Sequence, residues 1–193
     1  IRWIEKKINE YLNKLLETKD EDFVIASDTD SIYVTFDKLV SKVFEERNDI
    51  QRIVSFLDRI AKEKIEPFID KSYQTLAEMM SAYDQKMQMK REVIADKGIW
   101  TAKKRYILNA WDVEGVRYKE PQLKMLGIES VKSSTPARVR VKIKESLKII
   151  MSGSEKELND FLISFHDEFK KLKPEEIAYP RSCNGLKKFG SSS

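Results

Sequence analysis

The chain has 193 residues, of which 41% are hydrophobic and 35% are charged, the balance of a globular domain with a highly charged surface. No apolar run approaches the roughly 18 residues that a membrane helix needs, no secretory signal pattern opens the sequence, and the single cysteine, Cys183, excludes a disulfide framework within the chain. The net charge of +4 is unevenly distributed, with −5 over residues 1–85 and +9 over residues 86–148. A basic block of this kind favours a polyanionic partner such as nucleic acid, although a solvated charged surface has the same composition.

The first half of the sequence predicts helices on either side of a β-hairpin. Apolar residues recur every three or four positions over residues 1–17 and again over residues 49–83, where Pro67 predicts a kink or a break near Glu66. Residues 23–36 combine two arms of strand-forming residues with a polar tip and predict the hairpin. Asp37 is placed to cap a short helix over residues 38–45.

The second half predicts strands that are followed by helices. Residues 87–93 alternate, residues 99–111 form a further strand region, and Glu114-Gly115 marks a turn into a returning strand. The two hairpins and the strand between them can form one antiparallel sheet, covered by the helices. Thr135 is the expected N-cap of a helix that ends near Gly153, and Ser154 with Glu157 predicts a capping box for the next helix.

Asp28 and Asp30 stand at the tip of the first predicted hairpin. Side chains two positions apart on extended backbone point to the same face, so two carboxylates on a stiff apolar base can hold hard divalent cations through oxygen ligands. The alternative is a turn in which Asp and Ser make local hydrogen bonds, and on spacing alone it is the commoner explanation.

Residues 28–34, Asp-Thr-Asp-Ser-Ile-Tyr-Val, resemble the third polymerase motif of family B DNA polymerases, and nearly the whole chain is similar to the replicative polymerases of T-even-type phages. The resemblance implies that Asp30 bridges both Mg²⁺ ions of a two-metal site and that Asp28 is a companion catalytic carboxylate nearer the primer terminus. It also implies that Thr29 and Ser31 lie against the DNA. In nucleotidyl transfer two metals clamp the attacking and leaving oxygens, so the protein must supply carboxylates on a rigid support.

Three further segments carry the resemblance. Glu92, within residues 89–95, resembles an auxiliary catalytic carboxylate close to the metals, with an exposed strand glutamate as the alternative. A second segment resembles the Lys-Lys-x-Tyr motif that grips the primer–template duplex, where lysines neutralise phosphates or reach minor-groove acceptors. A third resembles the palm-to-thumb junction, where a helix N-terminus can bind phosphate or can simply be capped. The implied DNA-binding residues are Lys103, Lys104, Arg105 and Tyr106 in the second segment and Lys132, Ser133, Ser134 and Thr135 in the third.

The sequence departs from the family pattern in three places. Ala26-Ser27 stands where Tyr-Gly usually precedes the aspartates, and Lys90 stands where the phage relatives usually carry an acid. The glycine-rich loop that usually precedes the lysines is reduced to Asp96-Lys97-Gly98.

The resemblance implies an α+β fold, with an antiparallel palm sheet and packed helices, followed by a mainly helical thumb segment. We expect residues 1–130 to be the C-terminal part of the palm, residues 131–189 the beginning of the thumb, and residues 190–193 a tail. The implied partners are primer–template DNA, a deoxynucleoside triphosphate, and an N-terminal polymerase portion that carries the exonuclease, the fingers and the rest of the palm.

The family's first motif, which supplies the other metal-bridging aspartate, and the fingers lysine are absent from this sequence. The two-metal site is therefore incomplete within the chain, and we expect the isolated chain to be inactive as a polymerase. The alternatives are a non-catalytic DNA-binding module, or the C-terminal half of a split polymerase that is active only with its N-terminal partner. We expect no membrane association and a location in the cytoplasm of a phage-infected bacterium.

Overall fold

The structure is a computed structural model that describes residues 1–128, 132–179 and 181–182, and it confirms the α+β class. Cys183 and the expected tail, residues 190–193, lie outside this part of the chain. Within it, no helix combines the length and the apolar character that crossing a bilayer requires. The helices are α1 (Arg2–Leu16), α2 (Asp37–Val43), α3 (Ile50–Ile60), α4 (Glu66–Met79), α5 (Ala137–Ser152), α6 (Glu155–Phe169) and α7 (Pro174–Ile177). The strands are β1 (Val24–Asp28), β2 (Ser31–Val34), β3 (Val93–Ala102), β4 (Arg105–Val113) and β5 (Val116–Leu126).

The chain divides into two compact units. The first comprises Ile1–Asp96 and Ala110–Gln122, and the second comprises Lys97–Asn109 and Leu123–Ser193. These units do not test the expected boundary between palm and thumb near residue 130, which stays a prediction.

Helix α1 is the centre of the first unit. Ile4, Ile8, Leu12 and Leu16 repeat every four residues and therefore form one stripe, and none of them is more than 3% exposed. This stripe packs with Ile69 and Tyr73 of α4 and with Val24 at the start of β1. The helix predicted over residues 1–17 is therefore confirmed.

The helical stretch 49–83 is interrupted where Pro67 predicts an interruption. Residues Ala61–Ile65 form a π-helical turn between α3 and α4, and Pro67 lies in the first turn of α4. Proline has no N–H for the carbonyl four residues earlier and its ring crowds that carbonyl, so the wider turn accommodates it without ending the helix. By contrast, Asp37 is not the N-cap of α2: the cap is Phe36, and the Asp37 carboxylate accepts a hydrogen bond from Arg47 at 2.6 Å.

The prediction of one shared sheet is wrong. Strands β1 and β2 form a two-stranded sheet, and β3, β4 and β5 form a separate three-stranded sheet in that order. The alternating residues 87–92 are not in a strand, because alternation over a few residues does not supply a pairing partner. Strand β5 continues through Pro121, which an edge strand tolerates because its outer N–H groups have no ladder partner to lose.

The second unit has a small core of its own. Ile107, Ile128, Leu147 and Met151 are buried there, with Leu123 and Ile143 packed against them. Helix α5 ends at Ser152 with Gly153 as its C-cap, close to the predicted end, and the Ser154–Glu157 capping box of α6 is present. The predicted cap at Thr135 is displaced by one residue, since Pro136 is the N-cap and α5 begins at Ala137. Helix α6 has no buried side chain: its apolar residues Leu162 and Phe169 are 47% and 38% exposed.

Candidate nucleotidyl-transfer site and nucleic-acid interface

The hairpin that carries Asp28 and Asp30 is anchored to α1 through two asparagines. The Asn9 carboxamide oxygen accepts hydrogen bonds from the backbone N–H groups of Phe23 at 2.8 Å and Val24 at 3.1 Å. The Asn13 amide donates to the carbonyl of Glu21 at 2.7 Å. Because these bonds satisfy backbone groups at the start of β1 and just before it, the hairpin leaves α1 in a fixed direction.

The two aspartates occupy different backbone positions at the tip. Asp28 is the last residue of β1 and pairs with Ser31, so Thr29 and Asp30 alone form the turn. Asp28 is half-buried and Asp30 is exposed. We expected the two side chains to point to the same face because side chains alternate along a strand. This expectation does not apply, because Asp30 lies in the turn and not in β1.

A β-bulge at Ile25 decides which face Asp28 occupies. Val24 pairs with Val34, whereas Ala26 pairs with Tyr33 and Ser27 with Ile32, so Ile25 is an extra residue. Opposed residues share a face, and Ile32 and Val34 both pack against the core of the first unit. Ser27 therefore lies on that face, and its hydroxyl donates to Glu5 of α1 at 3.4 Å. Asp28 lies on the opposite face, away from Glu5.

Asp28 makes the local hydrogen bonds that the turn alternative predicts. One of its carboxylate oxygens accepts from the Thr29 N–H at 2.9 Å and from the Thr29 hydroxyl at 3.2 Å. These bonds fix the orientation of the carboxylate. The hydrogen bonds are compatible with a metal-ligand role for Asp28.

The donors at the tip match Mg²⁺ in kind but fall short in number. Carboxylate oxygens are the hard ligands that Mg²⁺ takes. Residues 1–128, 132–179 and 181–182 contain no group of three or more His, Cys, Asp or Glu side chains that could hold a metal ion. Asp28 and Asp30 can therefore form part of a Mg²⁺ site, and further ligands are needed to complete it.

Glu92 immediately precedes β3, and it is exposed. Its carbonyl accepts a hydrogen bond from the backbone N–H of Glu114 at 2.6 Å, which ties the start of β3 to the turn between β4 and β5. That turn has positive φ at Glu114 (53°) and at Gly115 (87°), the pattern of a two-residue type I′ hairpin, as Glu114-Gly115 predicts.

A buried ion network next to Glu92 was not predicted from the sequence. The Arg91 guanidinium donates to the carboxylates of Asp58 on α3 and Asp112 on β4. The side chain of Asp112 is 2% exposed, and it also accepts from the Gly115 N–H at 3.0 Å, with Arg117 Nε at 3.7 Å. The only sequence signal for Asp112 is its place in a nearly continuous buried strand, where a carboxylate requires a cationic partner.

The network shifts the pKa values of two of its members, Asp58 and Arg91. Burial raises the pKa of Asp58, but hydrogen bonds from Lys62 and Arg91 outweigh burial and hold the pKa below its ordinary value. Burial lowers the pKa of Arg91, and its hydrogen bonds to Asp58 and Asp112 outweigh that effect, so the pKa is raised. Both shifts favour the charged forms.

Lys103 and Lys104 form a hairpin turn, which corrects the prediction that they continue a strand. They connect β3 to β4, with Lys104 in the left-handed region at φ 59°. Lys103, Lys104 and Arg105 are exposed, and Tyr106 is half-buried at the start of β4. Three adjacent cationic side chains thus project where a tight turn leaves them accessible to phosphates.

The residues of the expected palm-to-thumb junction before α5 differ in their exposure to solvent. Lys132, Ser133 and Ser134 are exposed, whereas Thr135 is 7% exposed. Its backbone N–H donates to the carbonyl of Lys132 at 3.2 Å, which closes a turn. The accessible hydroxyls of this segment are therefore those of the two serines.

Comparison with known proteins identifies the family. A family model described as Divergent Family B DNA polymerase matches residues 15–163. The chain is 41% identical over 201 residues to the DNA-directed DNA polymerase of Enterobacteria phage T4 and 43% identical over 198 residues to that of Escherichia phage RB69. Each match covers 98% of this chain but only 22% of the relative's length. The chain belongs to the divergent family B DNA polymerases.

Proposed function

We propose that this chain supplies part of the active site and part of the duplex-binding surface of a DNA-directed DNA polymerase. The observation that carries the proposal is the pair Asp28 and Asp30 at the tip of an anchored two-residue hairpin. Family membership supports nucleotidyl transfer as the chemistry. Because the relatives are phage proteins, we place this activity in the cytoplasm of an infected bacterium.

Within this proposal the residues of the tip have distinct roles. Asp30, exposed in the turn, would hold the Mg²⁺ ions through its carboxylate. Asp28, whose carboxylate is oriented by Thr29, would hold Mg²⁺ nearer the primer terminus. Thr29 and Ser31 contact the DNA beside them. Glu92 is an auxiliary carboxylate at the start of β3. When bound, the two Mg²⁺ ions stabilise the attacking and leaving oxygens of the transferred nucleotide.

The basic surface binds the primer–template duplex. Lys103, Lys104 and Arg105 are exposed, so phosphates can approach their charges. Tyr106, half-buried at the start of β4, contacts the duplex beside these cations. Lys132 and the two serines that follow it add donors ahead of α5, next to the buried Thr135. On α5, Arg140, Lys144 and Lys148 follow one another every four residues and therefore lie on one face.

Reconstituted primer extension tests the catalytic part. Deoxynucleoside triphosphates are present in every reaction. We expect no extension by the chain alone, and extension when a partner polypeptide supplies the missing first-motif aspartate and the fingers. Asp30→Ala should then abolish extension, whereas Asp84→Ala, a change of the same type at an exposed site, should not. Equal extension with Asp30→Ala and Asp84→Ala would show that the metal-ligand assignment is wrong.

A second candidate is a non-catalytic DNA-binding module, which the cationic turn of Lys103 and Lys104 favours. It predicts salt-dependent duplex binding with no dependence on Asp28 or Asp30 and no activity with any partner polypeptide. Failure of every partner to restore extension, with duplex binding intact, would favour this candidate over the first.

A further inference from the structure

We infer that Gly127 is a positioning residue for the two-lysine turn of Lys103 and Lys104, and this inference rests on the proposed duplex-binding function. Gly127 directly follows β5 and has φ 67°. An added Cβ there would overlap the carbonyl oxygen of Lys104, and it would lie 3.0 Å from Cγ of Arg105. The backbone of Gly127 therefore packs directly against the turn, with no room for a side chain between them.

The topology explains this close approach. Strand β4 lies between β3 and β5, and two-residue turns make its pairing with both neighbours antiparallel. The end of β5 therefore lies beside the start of β4, which is where the lysine turn closes. Gly127 limits how far that turn can move toward β5.

The turn needs such support because its own sequence does not specify it. Two-residue hairpins prefer Asn or Gly at positions with positive φ, because the Cβ of a residue such as lysine crowds the backbone there. Lys104 adopts φ 59° although it has a Cβ. Contact from Gly127 is an external constraint that holds Lys104 in this conformation, and it thereby sets the direction of two exposed ammonium groups.

Gly115 provides a matched control on the same sheet. It also has positive φ, 87°, but an added Cβ would meet nothing within 4 Å. Gly115→Ala and Gly127→Ala therefore introduce the same kind of backbone strain, and only the second introduces a clash with the lysine turn.

The test measures binding of a fluorescent hairpin primer–template DNA over a range of salt concentrations. Replacing both lysines with alanine should weaken binding at least about tenfold at low salt and reduce the salt slope by about 1.8. Gly127→Ala should reduce the slope by a similar amount, and Gly115→Ala should leave it unchanged. In the background without the two lysines, Gly127→Ala should have no further effect on binding.

The outcomes separate this inference from the function on which it rests. If the variant without the two lysines binds as tightly as the natural chain, the proposed duplex-binding surface is wrong. If that variant binds weakly but Gly127→Ala keeps the natural slope, or weakens binding equally with and without the lysines, Gly127 does not act through the turn.

A second variant covers the case in which Gly127→Ala does not fold. Adding Lys104→Gly frees the turn to move away from the new methyl group, which should restore folding as measured by circular dichroism. The folded double variant should have a salt slope about 0.9 lower than Lys104→Gly alone, because Lys103 is then misdirected. Equal slopes for these two variants would overturn the inference.

Discussion

Arg91→Met tests the buried ion network most directly. The substitution keeps an unbranched side chain of similar length and removes the charge that Asp58 and Asp112 share. Asp112 then remains buried, and its contacts within the described part of the chain are the Gly115 N–H at 3.0 Å and Arg117 Nε at 3.7 Å. We expect a large loss of stability, because a buried carboxylate without its principal cation must either stay charged in an apolar site or take up a proton.

The burial of Arg91 and Asp112 sets the size of the expected loss of stability. Removing one member of a buried ion pair costs about 3–5 kcal/mol. The side chains of Arg91 and Asp112 are 10% and 2% exposed, which places this pair in that class. The Gly115 and Arg117 contacts partly compensate Asp112, and Asp58 keeps Lys62 at 2.9 Å. We therefore expect about 3 kcal/mol, the lower end of the range.

Urea denaturation at neutral pH, followed by circular dichroism, measures this loss. Arg47→Met is the matched control, because Arg47 pairs with Asp37 at the surface and both side chains are more than half exposed. We expect the control to leave the unfolding midpoint essentially unchanged. Arg91→Met/Asp112→Leu should regain most of the stability, since it removes the buried charge together with its partner. If Arg91→Met shifts the midpoint no more than Arg47→Met does, the network does not stabilise the fold.

Three further predictions concern pH, capping and charge. Because the pKa of Asp58 is depressed in the folded chain, its stabilisation is complete above its ordinary pKa and is lost as pH falls through the depressed value. Urea midpoints between about pH 2 and pH 5 should therefore fall less steeply for Asp58→Asn than for the natural chain. Ser154→Ala removes the hydroxyl that accepts from the Glu157 N–H at 3.3 Å, and thermal unfolding should show a loss of about 1 kcal/mol. Exchanging Arg140, Lys144 and Lys148 for glutamine should reduce the salt slope of duplex binding by about 2.7. The same change at one lysine of α6 and the two lysines that follow the helix should leave the slope unchanged: Lys156, Lys170 and Lys171.

Local patterns in the sequence predicted the elements that local chemistry determines. The four-residue repeat from Ile4 to Leu16 identifies both α1 and its buried face. Glu114-Gly115 specifies its own turn, and Ser154 and Glu157 satisfy each other's backbone groups without help from the rest of the fold. The hairpin at Asp28 and Asp30 was predicted in the same way, and its family motif predicted which residues to test.

Features that depend on distant partners were not predicted. The turn at Lys103 and Lys104 has no glycine or asparagine to mark it, and the residue that packs against it, Gly127, comes more than twenty positions later. The burial of Asp112 depends on Arg91, which precedes it by 21 residues. Alternation could not distinguish two sheets from one, because it indicates a strand face and not the strand's neighbour.

The π-helical turn at Ala61–Ile65 has a consequence for comparing related sequences. Ile60 and Ile65 both pack against the core around α1, and so do Ile69 and Tyr73. Ile60 and Ile65 are five positions apart, whereas Ile65, Ile69 and Tyr73 follow at intervals of four. The one longer interval coincides with the π-helical turn, so the spacing of the apolar residues indicates where the turn is. Relatives that lack one residue here should show a single-position gap in an alignment and a regular α-helix in its place. Deleting one residue between 61 and 64 should therefore be tolerated better than deleting one within α1, where no wide turn can absorb the loss.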